Sequence, residues 1–292
     1  MRLTIRHETV YQYDRPVAFG GWRLLMRPVD SHALRILDAS LEFTPSVVTR
    51  WSHDALGNSL CVFQPYGESD VLRVVSSLWI ERFPTPLDSA GRFDPTLAFP
   101  IVYTLEERLI LDPFMRPATD GDAQGYRDWL SRWSMANYTL SLPFLQDLNA
   151  AIHRDFNYGE RQEEGTQTPS QTVQRGAGTC RDFAWLMVES LRRLGFAARF
   201  VTGYLYAPGL TTRGAGATHA WCEVFLPSLG WIEFDPTNGL AESVDLIRVA
   251  VSRTPEEASP MTGSIMGSAT ARLTVSVTVM PVVTVGENVS AL

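Results

Sequence analysis

A single cysteine stands between a glycine-containing segment and an amphipathic helical pattern, and this junction restricts the fold more than any other part of the chain. The segment reads Gly176-Ala177-Gly178-Thr179-Cys180-Arg181-Asp182-Phe183. Thr179, followed three residues later by Asp182, is a capping-box pattern that predicts a helix start at Cys180. The apolar face of this helix would consist of Phe183, Met187, Leu191 and Leu194. The sequence therefore predicts a helix from Cys180 to Leu194 with the thiol at its first residue.

The hydrophobic period changes along the chain, which predicts an α+β protein. Alternating runs separated by turn residues are typical of short strands, and they dominate the first part of the chain. Helical spacing begins near residue 120, and alternation returns at residues 272–279. A lone strand is unstable, so this tail is expected to join the N-terminal sheet. The predicted units are a β-sandwich-like domain (1–110), a helical connector (111–144), a mixed core (145–250), and a C-terminal linker and returning strand (251–292).

Composition excludes several classes of protein. The 292 residues are 45% hydrophobic and 20% charged, which is typical of a folded globular chain. A net charge of −7 does not favour nucleic-acid binding. No apolar run approaches the length of about 18 residues needed to span a bilayer, and Met1–Glu8 does not resemble a signal peptide. We therefore expect no nucleic-acid or membrane partner and a cytoplasmic location; the oligomeric state stays open.

The thiol of Cys180 has the setting of a nucleophile. A thiol reacts as thiolate, and unpaired backbone N–H groups at a helix start stabilise negative charge. The backbone N–H of Cys180 could also bind an oxyanion. The alternative is an inert buried cysteine, because free cysteines are among the most buried residue types. Cys61 and Cys222 are assigned to that structural class.

His219 and Asp235 lie on consecutive predicted strands, in the chain order of a Cys-His-Asp triad. Each could instead be structural, as a lone histidine or a turn aspartate usually is. A three-residue loop, Ser228-Leu229-Gly230, would pair Glu223 with Asp235 and place His219 and Asp235 on one face of the hairpin. Gly230 then falls where such a loop requires a left-handed residue. Cys222 would point to the opposite, core-facing side.

No metal or cofactor motif accompanies these residues. The five histidines form no H-x-x-x-H pair, and the glycine-rich run at 209–216 is not followed by the lysine of a phosphate-binding loop. This run leads directly into His219 and is interpreted as a lid over the cleft. The expectation is therefore no cofactor and no metal.

The motifs together resemble the bacterial transglutaminase-like superfamily, whose members are often described as candidate cysteine proteases. The resemblance rests on four segments and on the opening strand at 5–13. The segments are Gly178–Ala184, Leu194–Tyr204, Thr218–Val224 and Gly230–Asn238. It implies a papain-like or transglutaminase-like core, with the nucleophile at a helix N-terminus packed on an antiparallel sheet, after a β-domain. It also implies that Cys180 is the nucleophile, His219 the general base and acid, and Asp235 the residue that orients the histidine.

The expected function is thiol-dependent acyl transfer on amides of a protein or peptide substrate, through a thioester intermediate. Water as acceptor would make the enzyme an amidase or peptidase, which is favoured because water needs no dedicated acceptor site. A primary amine as acceptor would make it a transglutaminase. Acyl transfer from a thioester, as in arylamine N-acetyltransferases, is disfavoured because those enzymes carry the cysteine nearer the N-terminus. A non-catalytic binding module is the alternative from another class.

Overall fold

The computed structural model describes residues 1–83, 98–120, 123–133, 138, 140–159, 165–206, 213–214, 216–227 and 229–282. The strands are β1 (Arg2–Arg27), β2 (Leu34–Thr44), β3 (Val47–His53), β4 (Ser59–Pro65), β5 (Glu68–Arg82), β6 (Asn157–Tyr158), β7 (Ala177–Gly178), β8 (Ala198–Leu205), β9 (His219–Leu226), β10 (Gly230–Asp235), β11 (Leu240–Ala241), β12 (Leu246–Ser252), β13 (Met261–Met266) and β14 (Ala271–Pro281). The α-helices are α1 (Leu105–Met115), α2 (Gln124–Ser131), α3 (Ser141–Asp155), α4 (Pro169–Arg175) and α5 (Cys180–Arg193). None of the described helices is long and apolar enough to cross a membrane.

The N-terminal strands form one antiparallel sheet with the order β2-β5-β1-β4-β3, and β13 and β14 also pair with β1. The first half of β1 pairs with β5 and β14, and its second half pairs with β4 and β13. The sheet curls along this long strand and encloses an apolar core. Its fully buried members include Leu24, Cys61, Phe63, Leu72 and Val74. The sandwich-like packing that the sequence predicts thus arises within one curled sheet.

The alternating tail, β14, lies beside the first half of β1. The register runs from Leu3 opposite Pro281 to Tyr13 opposite Ala271. An N-terminal and a C-terminal segment therefore share one sheet, so the N-terminal unit is assembled from both ends of the described chain. The boundaries at residues 110, 144 and 250 stay a prediction.

The second sheet, β11-β10-β9-β8-β12, carries the mixed core. Helix α5 packs against β8 and β9 through a dense apolar cluster that also takes in α3. Helix α5 begins at Cys180 and β8 begins at Ala198, where the sequence predicts them. The predicted α+β class, with a cysteine-bearing helix start packed on an antiparallel sheet, is confirmed.

The two sheets contact each other through an apolar layer. Tyr204, Ile247 and Val249 of the second sheet belong to the same buried cluster as Leu3 and Ile5 of β1. Within this layer, the hydroxyl of Tyr204 lies 3.2 Å from the imidazole of His7. Burial lowers the pKa of His7 to about 4, so this histidine stays neutral at physiological pH. His7 therefore adds no charge to this layer.

Helix α1 begins inside the region that the sequence reading assigns to strands. Thr104 caps it, and Glu107 completes a capping box by bonding back to the Thr104 backbone N–H at 2.8 Å. The Thr-x-x-Glu signal is present in the sequence. The helix that this signal starts is short, and it has apolar residues on its exposed side, namely Leu105, Leu109 and Ile110. Because apolar residues are present on both sides, the sequence does not show a clear helical period here.

Candidate active site

Cys180 is the first residue of α5, and Thr179 is its N-cap. Its side chain is 7% exposed, whereas Cys61 and Cys222 are fully buried. The first backbone N–H groups of a helix have no partner within the helix, so the sulfur lies at a positive helix end. Of the three cysteines, Cys180 is therefore the one whose position at a helix start gives the electrostatic setting of a nucleophile.

Asp182 fixes the loop that precedes Cys180. Its fully buried carboxylate accepts hydrogen bonds from the backbone N–H and the hydroxyl of Thr179 at 2.8 and 3.0 Å. It also accepts from the backbone N–H and the side-chain amide of Gln167 at 2.7 and 3.0 Å. A Cβ on Gly178 would lie 2.8 Å from the Cβ of Asp182, so only glycine allows this approach. The position of the thiol thus depends on a buried carboxylate outside the triad.

A short parallel pair brings a tyrosine to the same loop. Tyr158 of β6 lies opposite Gly178 of β7, two residues before Cys180. Its ring packs edge-on against Phe183 of α5, with ring centroids 6.4 Å apart. The phenol is therefore held over the first turn of the cysteine helix.

His219 begins β9 and Asp235 ends β10, so both lie at the same end of the hairpin. His219 Nε2 lies 2.8 Å from Asp235 Oδ2, and both side chains are buried. The predicted shared face of His219 and Asp235 is therefore present.

The predicted register of this hairpin is wrong by one residue on each strand. Gly230 pairs with Leu226 and Glu233 pairs with Glu223, so the connection comprises residues 227–229 rather than 228–230. Gly230 has a φ of +84° and begins β10 instead of ending the loop. The shift moves the pairing by an even number of positions, which keeps His219 and Asp235 on one face.

The electrostatics of the site favour a charged imidazole. Burial alone would lower the pKa of His219, but the charge and hydrogen bond of Asp235, together with the Cys180 sulfur, raise it to about 10. Burial would likewise raise the pKa of Asp235, but the same imidazolium and its hydrogen bonds hold it below its usual range. The His219 and Asp235 side chains therefore suit an imidazolium paired with a carboxylate.

Thr237 and Asn238, which follow β10, hold the Asp235 carboxylate in place. The backbone N–H of Thr237 donates to Asp235 Oδ1 at 2.9 Å, and the Asn238 side chain donates to Oδ2 at 2.9 Å. The Asn238 side-chain oxygen accepts from the backbone N–H of Arg213 at 3.0 Å. Asn238 thus connects the carboxylate to the loop that the sequence predicts as a lid; residues 207–212 and 215 of that loop lie outside the described residues.

Gly214 lies against the free edge of the His219 ring. A Cβ at this position, where φ is +83°, would lie 2.9 Å from His219 Nδ1 and 3.5 Å from the Tyr158 hydroxyl oxygen. Among the described residues, no group is within hydrogen-bonding geometry of Nδ1. Nε2 thus bonds Asp235, and Nδ1 is the ring nitrogen that has no hydrogen-bond partner among the described residues.

Several residues of this site escape sequence reasoning. Asp182 is predicted only as a helix-capping residue, and Tyr158, Gln167 and Asn238 receive no role. Gln167 and Tyr158 become neighbours of the cysteine loop only through tertiary packing, which no local spacing encodes. Asn238 could have been found, since it follows the Asp-Pro turn directly.

Cys61 and Cys222 have the structural roles that the sequence predicts for them. Both are free thiols in apolar clusters, Cys61 within the curled sheet and Cys222 between β9 and α5. Burial raises the pKa of Cys61 to about 11 and raises that of Cys222 as well. Neither is placed to act as a nucleophile.

Two family models match the chain. Residues 132–236 match the transglutaminase-like superfamily core, and residues 3–81 match the bacterial transglutaminase-like N-terminal region. The uncharacterized protein Rv2569c of Mycobacterium tuberculosis is 27% identical over 96% of this chain and 93% of its own length. A Mycobacterium leprae protein, ML0607, is 34% identical over 31% of this chain and 33% of its own length.

A solved structure has the same fold. It is a protein from Cytophaga hutchinsonii that is provisionally described as a cysteine protease, with a TM-score of 0.74 and 20% identity. The match covers 97% of this chain and 92% of that one, so both the curled sheet and the mixed core are shared.

The two family models follow each other in the order of the two sheets, and the cysteine helix and the His-Asp hairpin both lie within the matched core. The match to the transglutaminase-like core, together with a free thiol at a helix start, supports the assignment of this protein as a thiol-dependent enzyme. Residues 132–236 therefore belong to the transglutaminase-like superfamily, and residues 3–81 form a bacterial transglutaminase-like N-terminal region before this core.

Proposed function

We propose that this protein is a thiol-dependent acyl-transfer enzyme that hydrolyses amide bonds in a protein or peptide substrate. Cys180 would be the nucleophile, His219 the general acid and base, and Asp235 the group that orients the histidine. The observation that supports the proposal best is the 2.8 Å contact between His219 Nε2 and Asp235 Oδ2, in a pair whose two side chains are fully buried.

In this mechanism the Cys180 thiolate attacks the amide carbonyl carbon and forms a tetrahedral intermediate. The His219 imidazolium then gives its proton to the amine nitrogen as the C–N bond breaks, which leaves a thioester and a neutral imidazole. The imidazole next takes a proton from water as the oxygen attacks the thioester. Cleavage of the C–S bond releases the carboxylic acid and restores the thiolate and the imidazolium.

A primary amine could take the place of water, and the reaction would then be transglutamination. We favour hydrolysis because water requires no dedicated acceptor site. All 25 basic residues of the chain are arginine, so the protein has no lysine to act as its own acyl acceptor. We therefore expect no self-crosslinking through lysine, whether water or an amine is the preferred acyl acceptor.

An acyl-enzyme experiment tests the proposal directly. The wild-type protein is mixed with excess p-nitrophenyl acetate, and intact-mass and peptide mass spectrometry locate the acetyl group. We expect a burst of p-nitrophenol, transient acetylation of Cys180, and release of acetate. The matched variants are Cys180→Ala, which should show neither burst nor adduct, and Cys222→Ala, which should keep both because Cys222 lies in the apolar core.

A second arm separates the acceptors. The same reaction is run with a fluorescent alkylamine, and the products are free acid or amide. Free acid as the main product supports hydrolysis, whereas amide as the main product shows a transglutaminase. An unacetylated wild-type protein, or equal acetylation of the Cys180→Ala variant, would overturn the assignment and favour a non-catalytic module.

A further inference from the structure

The curled N-terminal sheet has an open seam. Strands β2 and β3 follow each other through residues 45–46, yet they lie at opposite edges of the sheet. Among the strands that the structure describes, β2 pairs with β5 and β3 pairs with β4, and neither has a second neighbour. Because two residues cannot span a flat sheet of this width, the sheet curls until its two edges meet at this turn. Beyond the turn the edges face each other without pairing, and we call the space between them the seam.

The main chain of β3 has unpaired groups that point into the seam. Tyr66 N donates to Ser46 O at 2.9 Å, which makes the adjacent pair, Val47 opposite Pro65, a non-hydrogen-bonded pair. Every second residue of β3 then directs its N–H and C=O away from β4. These residues are Val47, Thr49 and Trp51.

The same reasoning applies to β2. Phe83 N donates to Ala33 O at 2.9 Å beside the pair of Leu34 and Arg82, so Leu34 and Ile36 turn their main-chain groups away from β5. The backbone N–H of Ile36 indeed bonds the Asp30 side chain at 2.8 Å instead of β5. After a register shift between Ile36 and Asp38, the groups that face the seam belong to Ala39, Leu41 and Phe43.

Except for Leu34, these residues line a cavity with a volume of about 750 Å³. Its floor is formed by side chains of β1 and β5, among them Leu24, Met26 and Leu78, and its walls are the two open edges. Arg27 also lines it; its guanidinium lies over Trp51, and its buried Nε has no hydrogen-bond partner. The cavity thus combines an apolar floor with main-chain donors and acceptors on both sides.

We infer that the seam between β2 and β3 binds an extended peptide segment of a partner protein, which adds a strand between the two edges. An extended chain presents N–H and C=O groups alternately to its two sides, and both sides of the seam offer the complementary groups. A carbonyl of the same peptide would satisfy Arg27 Nε. The occupant has apolar side chains at every second position, since alternate residues face the floor.

The seam is separate from the triad. It belongs to the N-terminal sheet, whereas Cys180, His219 and Asp235 belong to α5 and the second sheet. Binding there would recruit a protein by its main chain, independently of the reaction. Peptide binding at the seam therefore does not require an active triad.

Fluorescence anisotropy with labelled heptapeptides tests the inference. The peptides alternate threonine with valine, leucine or phenylalanine, and each is also made with its backbone N-methylated at the even or at the odd positions. We expect saturable binding of at least one unmodified peptide, weakened at least tenfold by either N-methylation, because both sets of N–H groups meet an open edge. Absence of binding by all peptides at 1 mM, or insensitivity to both methylations, would overturn the inference.

Variants locate the binding. Leu41→Glu places a charge on the seam wall, and Thr49→Pro removes one open-edge N–H where proline is tolerated on an edge strand. Each should weaken peptide binding at least tenfold with an unchanged far-UV circular dichroism spectrum. The matched control, Val62→Glu, makes the same kind of change on an exposed β4 side chain and should bind normally. Normal binding by both seam variants, or peptide-independent dimers in light scattering, would contradict the inference.

Discussion

An Asp235→Asn variant is expected to lose about 10³- to 10⁴-fold of its acyl-transfer rate while it keeps its fold. The asparagine oxygen can still accept from Thr237, so the turn after β10 should remain. The amide is neutral, however, and no longer stabilises the imidazolium through the 2.8 Å contact with His219 Nε2. Without the carboxylate, burial lowers the pKa of His219, and the ring loses the proton that the leaving amine requires.

The measurement is the second-order rate of Cys180 acetylation by p-nitrophenyl acetate, followed as the p-nitrophenol burst from pH 5 to 9. The matched control is Asp155→Asn, which makes the same change at a carboxylate that is 45% exposed and bonded only to its neighbour Arg154 in the described structure. The control should react at the wild-type rate. A loss smaller than tenfold in Asp235→Asn, with a normal melting temperature, would contradict the role of Asp235.

An Asp182→Ala variant is expected to be less stable by about 3 to 5 kcal/mol, because four donors, two of them buried and two half-buried, lose a charged acceptor. These donors belong to Thr179 and Gln167, so the loss also loosens the loop that positions Cys180. For a chain of this size, such a change lowers the melting temperature by on the order of 10 °C. Asp182→Asn should lose less, since the amide oxygen can still accept one or two of these bonds.

Thermal unfolding followed by circular dichroism tests this prediction. Asp155→Ala is the control, because its exposed ion pair with Arg154 should contribute little to stability. A drop of less than 3 °C in Asp182→Ala would show that water replaces the carboxylate and that the network is not what holds the cysteine loop.

Much of the mixed core can be predicted from sequence, because its signals are local. The Thr179–Asp182 pattern specifies the start of α5, and the parity of the hairpin specifies that His219 and Asp235 share a face. Side chains in a strand alternate between the two faces, so a pairing shifted by two positions in total keeps each residue on the same face. The predicted hairpin, misplaced by one residue on each strand, therefore still gives the correct face. Triad chemistry itself and the boundaries of the domains stay predictions, as does the cytoplasmic location.

Other features depend on contacts between distant segments. Helix α1 is hidden because its exposed apolar residues blur the helical period, although its capping box is visible in the sequence. Tyr158 reaches the site only because β6 pairs in parallel with β7, a two-residue ladder that no periodicity predicts. The seam follows from the order of strands in the curled sheet, in which neighbours in sequence become opposite edges. Such features require the tertiary fold.

Limiting iodoacetamide labelling at pH 6, with the modified residues located by mass spectrometry, tests the central claim most directly. At this pH the His219 side chain, whose pKa is raised to about 10, is charged, and a cation together with a helix start favours reaction at Cys180, whereas Cys61, with a pKa of about 11, and the buried Cys222 remain thiols. We expect selective alkylation of Cys180 in the wild-type protein and its loss in His219→Ala, with an unchanged melting curve. Equal labelling of the three cysteines, or selective labelling of Cys180 that persists in His219→Ala, would contradict it.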